Sequence, residues 1–228
     1  MAPAVAQFVR GNRPFRFVGV NIRALLHYGN GQDPIKFSEE RHRLDNLRAA
    51  YDMGARVARV FLPDRHASTD VILQRMHTTL QLLREQFPEM YLLPALTNLY
   101  SDVPFHVPGD DPFYRQPPGD NHALLTRDFF TGGFEQNYWP FVQRVVGTFA
   151  NEPRIFAWEI GNELKLDREP QLFVQFMHEI ARRIRDLDPN HLITTGMIST
   201  RHAWLFEPDA KISLYRSPYL DFITFHAY

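Results

Sequence analysis

Cysteine is absent from this chain of 228 residues, which removes a disulfide framework and any thiolate metal site. No run of about 18 apolar residues occurs, so no segment reads as a membrane-spanning helix. Residues 1–6 are too short and too uncharged to read as a signal peptide. Localisation stays open between a cytoplasmic protein and the mature part of a secreted one. An excess of one charge sign is missing too: 25 Lys and Arg against 26 Asp and Glu give a net charge of −1, with no basic run. That argues against an electrostatic footprint for nucleic acid. His27, His66, His106, His122 and His202 show no metal-ligand spacing, so neither a metal nor another cofactor is expected.

What the chain does have is apolar mass and alternation. Hydrophobic residues make up 44%, enough for a sizeable core, and residues 1–228 suit a single domain. Aromatic faces, 19 Phe among them, can fill that core or stack on sugar rings. Gly11-Asn12-Arg13 is a turn signal between residues 7–10 and 14–17, a small opening hairpin. Continuous apolar segments over 15–22, 56–62, 90–98, 155–162, 192–199 and 221–228 read as six strands, buried on both faces. Helical spacing separates them over 38–53, 68–87, 134–150 and 170–187, with a short helix at most over 203–207. Such alternation predicts a parallel sheet with helical crossovers. One connection is anomalous. Residues 99–133 form a loop of roughly 35 residues where 2–6 is usual, rich in Pro and aromatics. It reads as one wall of a substrate cleft.

The segment richest in chemistry is Ile155-Phe156-Ala157-Trp158-Glu159-Ile160-Gly161-Asn162-Glu163. An apolar run carries a carboxylate, Glu163, to the carboxyl end of a buried strand, where catalytic groups sit in β/α barrels. Asn162 beside it can donate to a substrate hydroxyl. Trp158 reads as core.

These residues resemble the fourth strand of clan A glycoside hydrolases, and within them family 5 and its mannanase-like branch. There the Asn-Glu pair carries the general acid/base. Gly54-Ala55-Arg56-Val57-Ala58-Arg59-Val60 resembles the second strand, in which an Arg at the position of Arg59 supports the nucleophile. Leu96-Thr97-Asn98-Leu99-Tyr100 resembles the end of the third strand. His226-Ala227-Tyr228 resembles the His-x-Tyr of the sixth strand, whose members contact substrate and nucleophile. The chain departs from the pattern at Leu164, where Pro is common, and at Tyr100, where mannanase-like members often have Trp. The resemblance implies a TIM (β/α)8-type barrel of which this chain carries about six units. It implies Glu163 as the catalytic acid/base, and Arg59, Asn162, His226, Tyr228 and Tyr100 as substrate-binding residues; Asn21 and Asn98 are read from their own positions as cleft donors or as structural side chains, with neither reading preferred. The implied substrate is a β-linked polysaccharide or oligosaccharide, of β-mannan or β-glucan type.

Retaining hydrolysis needs a proton donor with a raised pKa and a second carboxylate about 5–5.5 Å away. In the family that second acid ends the seventh strand, so a nucleophile Glu is expected beyond residue 228. Glu159, four residues before Glu163, reads as a hydrogen-bonding group about 13 Å lower in the barrel at ~3.3 Å per residue, and a core ion pair of Arg59 with Glu159 or with Glu163 stays open beside the site role of Arg59. Asp64, Asp102 and Asp167 lie on carboxyl-end loops without a local signature. Residues 1–228 alone are therefore expected to be inactive. Alternative readings are a non-catalytic carbohydrate-binding remnant, or a partial barrel whose open edges an oligomer or a missing C-terminal segment covers.

Overall fold

The computed structural model describes residues 7–27, 40–64, 67–99, 113–115, 124–166, 169–198 and 208–226. The chain opens with the antiparallel ribbon of β1 (Val9–Arg10) and β2 (Arg13–Pro14), turned at Gly11. β3 (Val18–Asn21) follows, then α1 (Glu40–Asp52), β4 (Ala55–Phe61), α2 (Thr69–Gln86) and β5 (Tyr91–Ala95). Gly54, at φ +86°, makes the left-handed step from α1 into β4 that a side chain would oppose. The Ser68 hydroxyl caps α2 by accepting from Val71 N.

The long connection is not structureless. It contains the ribbon of β6 (Tyr114–Arg115) and β7 (Leu124–Leu125), and then α3 (Arg127–Phe130). Phe129 and Phe130 of α3 are buried, with ring centroids 5.4 and 5.1 Å from Phe176. This end of the expected cleft wall is therefore core, because its aromatics find apolar partners on a later helix. The remainder of the loop lies outside the described residues. A 3-10 turn at Gly133–Glu135 precedes α4 (Tyr138–Phe149), so the helix expected from residue 134 starts later. β8 (Ala157–Glu159), α5 (Pro170–Leu187), β9 (Leu192–Thr194) and α6 (Pro208–Tyr215) complete the order. The short helix expected over 203–207 lies outside the described residues.

The five long-range strands form one parallel sheet in the order β3-β4-β5-β8-β9, with α1, α2, α4 and α5 as crossovers. Strand order follows chain order, as in a barrel wall and unlike a doubly wound sheet. Period-two alternation divides the side chains between two layers. Ala58, Val60, Leu92 and Trp158 join the large core under the helices, whereas Val57, Leu93 and Ala157 join a smaller cluster on the other face. Phe15, Phe17, Phe156 and Phe222 pack on that second cluster. Arg59 and Glu159, two residues beyond Val57 and Ala157, take the same inward direction one layer higher.

Two strand expectations need correction. The first strand is not buried: Val18 is 65% exposed, because β3 pairs only with β4 among the described residues. The sixth segment is not a continuous strand. A single parallel bridge joins His226 to Ile198. Its side chains take over part of the ladder: the Asp221 carboxylate accepts from Ile193 N at 2.8 Å, and Thr224 Oγ1 from Gly196 N at 2.9 Å. Two backbone bonds remain, Asp221 N to Ile193 O and His226 N to Met197 O, both 3.0 Å.

Candidate active site

The carboxyl ends of the strands carry a connected polar network. Arg59, inward on β4, donates twice to Glu159 on β8: Nε to Oε2 at 2.8 Å and Nη2 to Oε1 at 2.5 Å. The two residues are on strands separated by β5, and the long Arg side chain must pass the inward position of β5 at that level. That position is Ala95, paired with both Phe61 and Glu159, and its methyl leaves room. Arg59 Nη2 also donates to Asn162 Oδ1 at 2.8 Å, and Nη1 to Asn21 Oδ1 on β3 at 3.3 Å. Asn162 Nδ2 in turn donates to Asn98 Oδ1 at 2.7 Å. Three strands thus meet through one guanidinium, and the Asn162 amide adds the exit of β5. Glu159 is fully buried, and its paired charge is compensated by a two-bond ion pair, the arrangement that makes a buried carboxylate tolerable.

Glu163 stands at the exit of β8. It is 3% exposed and has φ +55°, the one non-glycine residue in the left-handed region among the described residues. Such a backbone costs of order 1 kcal/mol or more and persists where neighbours over-determine it. Here they do: Asn162 N donates to Thr97 O and Glu163 N to Gly196 O, both at 2.8 Å, and Leu99 N donates to Asn162 O at 3.1 Å. The turn swings the Glu163 side chain to the sixth segment, where Oε1 lies 2.6 Å from His226 Nδ1. The structure therefore brings Arg59, Asn21, Asn98 and Asn162 into one network and pairs Glu163 with His226. Tyr100 and Tyr228 lie outside the described residues, as do Asp102 and Asp167. Asp64 is buried and receives Arg75 Nη1 at 3.1 Å, tying the loop after β4 to α2.

Gly196 was not singled out in the sequence, yet the site depends on it. Its φ is +75°, and a Cβ built there would fall inside contact distance of Gly161 O and the Glu159 carboxylate. A lone Gly inside an apolar strand pattern was the available signal, since it marks a bulge or a close backbone approach.

With this geometry in view, comparison with known proteins is informative. A family description, GH family 5 beta-mannosidase-like, matches residues 141–228. This chain is similar to family 5 of the clan A glycoside hydrolases. The family 5-like chain is 38% identical over 63 residues to mannan endo-1,4-beta-mannosidase A of Hypocrea jecorina, covering 27% of this chain and 14% of that protein. It is 27% identical over 163 residues to mannan endo-1,4-beta-mannosidase 4 of Oryza sativa subsp. japonica, covering 61% of this chain and 34% of the relative. Among solved structures, the endo-1,4-beta-mannanase from Rhizomucor miehei superposes with a TM-score of 0.69 at 18% identity, over 97% of this chain and 70% of that one. The endo-beta-1,4-mannanase from Thermotoga petrophila gives 0.67 at 23%, over 96% and 53%. The family 5-like chain thus matches only part of the length of these relatives. Its fold is that of a TIM (β/α)8-type barrel, represented here by five hydrogen-bonded strands and a bridged sixth segment.

Proposed function

We propose that the protein carrying this chain is a retaining glycoside hydrolase acting on β-mannan, with Glu163 as its general acid/base. The observation that carries the reading is the placement of Glu163: buried at a strand exit, held at φ +55°, and hydrogen-bonded to His226 beside the Asn162 network. In this reading Glu163 gives its proton to the glycosidic oxygen as that bond breaks, and a second carboxylate attacks the anomeric carbon. Water then displaces that carboxylate while Glu163 takes back a proton. Two other buried acids are engaged, Glu159 by Arg59 and Asp64 by Arg75. The attacking carboxylate is accordingly assigned to none of them. Asn162 Nδ2 keeps a second hydrogen beyond the one given to Asn98, and in this reading it goes to the sugar 2-hydroxyl. His226, Arg59, Asn21 and Asn98 complete the polar rim. Tyr100 and Tyr228 are proposed as further substrate contacts. The mannan preference is supported by the mannan endo-1,4-beta-mannosidases among the relatives, and β-glucan is the second substrate to assay.

The test is hydrolysis by the full-length protein, wild type and Glu163→Gln, of β-1,4-mannan and of aryl β-mannosides with poor and good leaving groups. The acid variant is expected to lose about 10²–10⁴-fold on mannan and on poor leaving groups. Dinitrophenyl mannosides should keep their first step, since that leaving group departs without protonation. Equal loss on both classes would overturn the assignment of Glu163. Absence of activity on every β-linked substrate by the wild type would overturn the function.

A further inference from the structure

We propose that Glu159 is a positioning residue that fixes the direction of the Asn162 side-chain amide, acting through Arg59; as a statement about catalysis this rests on the reading of the site above. The argument starts from the amide. Its nitrogen and oxygen ends present opposite roles, and only one orientation offers N–H to a sugar hydroxyl. Asn162 Oδ1 is held by Arg59 Nη2 at 2.8 Å, and Arg59 has only hydrogens to offer, so the oxygen end must face it. Nothing intrinsic holds a long Arg side chain in that pose. Glu159 does, because its two oxygens grip Nε and Nη2 along one edge of the guanidinium, at 2.8 and 2.5 Å. Glu159 cannot itself swing away. It is fully buried, and the backbone at Gly196 closes over its carboxylate so nearly that a Cβ would collide with it.

The chain of constraint therefore runs Gly196, Glu159, Arg59, Asn162, and it ends on the hydrogen that Asn162 would give the substrate. Bonds to the sugar 2-hydroxyl are those that strengthen in the transition state of glycoside hydrolysis. Loosening Asn162 should then lower kcat and leave KM nearly unchanged. Glu159→Gln is the suitable variant, since the side chain keeps its shape but turns one acceptor into a donor aimed at the guanidinium. Its effect must also depend on the 2-hydroxyl being present.

The experiment compares wild-type and Glu159→Gln full-length protein on an aryl β-mannoside and on its 2-deoxy analogue. Expected are a fall in kcat of roughly 10–100-fold on the mannoside with KM within about threefold, and a fall of less than about threefold on the 2-deoxy compound. Equal losses on both would show that Glu159 only supports the fold, and would overturn the proposal. A second readout needs no turnover: hydrogen exchange of the Asn162 side-chain amide and of Arg59 Nε–H by nuclear magnetic resonance. Both should be protected in the wild type, and Asn162 should lose its protection in Glu159→Gln. If the wild type proves inactive, the function fails while this readout still decides the positioning: unchanged Asn162 exchange in the variant overturns it. If the variant does not fold, the wild-type exchange decides, and rapid exchange of either group overturns it.

Discussion

Asp188 is the residue whose environment most clearly predicts a measurable effect. It is fully buried just after α5, with Oδ2 accepting from Trp158 Nε1 at 2.7 Å and lying 2.6 Å from His191 Nδ1. Oδ1 accepts from the backbone N–H of Asn190 at 2.8 Å and of His191 at 3.0 Å. Burial pushes this carboxyl up, but the bonds from His191, Trp158 and the two backbone amides together outweigh it and hold the group below its ordinary value. A folded-state value below the unfolded one contributes stability that is complete above the unfolded value, ~3.9, and is lost as pH falls through the folded one. Asp188→Asn should cost about 2–4 kcal/mol near pH 7, because the amide turns a donor toward Trp158 or His191. Urea unfolding at several pH values checks this: the gap between wild type and variant should be constant from pH 7 to about 5 and should narrow only below about 4. At the opposite end of the strands, Gly196→Ala is expected to lower the melting temperature. An L-residue in the left-handed region costs about 1–2 kcal/mol before any collision with Glu159 is counted.

Among the elements, the opening ribbon of β1 and β2 has an outcome of its own. It brings Phe8 to 5.1 Å from both Phe156 and Phe222, while Phe15 and Phe17 stack at 5.1 Å and Phe17 meets Phe156 at 5.0 Å. Together these rings close the amino-terminal end of the sheet over Val57, Leu93 and Ala157. In β/α barrels that end serves stability and the carboxyl end serves chemistry. Phe156→Ala should therefore destabilise by about 2 kcal/mol, less than the 3–5 expected for a fully buried ring because Phe156 is only partly buried. It should leave kcat/KM for the proposed hydrolysis, measured on the folded protein, within about twofold. A thermal melt paired with initial rates at low temperature checks both halves. The limits of α5 coincide with the expected 170–187, since Pro170 opens it and Asp188-Pro189 ends it. β9 came out shorter than 192–199, because Gly196 breaks the ladder at the close approach described above.

At the scale of the whole molecule, residues 1–228 expressed alone are expected to release no reducing ends from mannan. Retaining hydrolysis, the mechanism proposed above, needs two carboxylates about 5–5.5 Å apart on one anomeric centre. In the described residues Glu159 is already committed to Arg59, and Asp64 to Arg75. A reducing-sugar assay on residues 1–228 alone decides it. Multiple turnovers by residues 1–228, lost on Glu163→Ala, would mean that another acid of this chain completes the pair. The chain also exposes apolar side chains at both ends of its strand order, Val18 on β3 and Phe225, at 69%, on the sixth segment. Such edges favour self-association, which sedimentation at increasing concentration would reveal.

The sequence by itself determined the alternation of strands and helices, the parallel order, and the position of Glu163 at a strand exit. Those features depend on local periodicity and on which residues can be buried, both of which are written in neighbouring positions. Only the tertiary structure decided the left-handed turn at Glu163, the close approach of Gly196, and the wiring of Arg59 through Glu159 to Asn162. It also decided that Asp221 and Thr224 side chains would stand in for a strand ladder. Each of these joins residues far apart in the chain, 100 apart for Arg59 and Glu159. Their hydrogen bonds depend on strand register and on the direction a side chain takes across the barrel. Local composition carries no record of either.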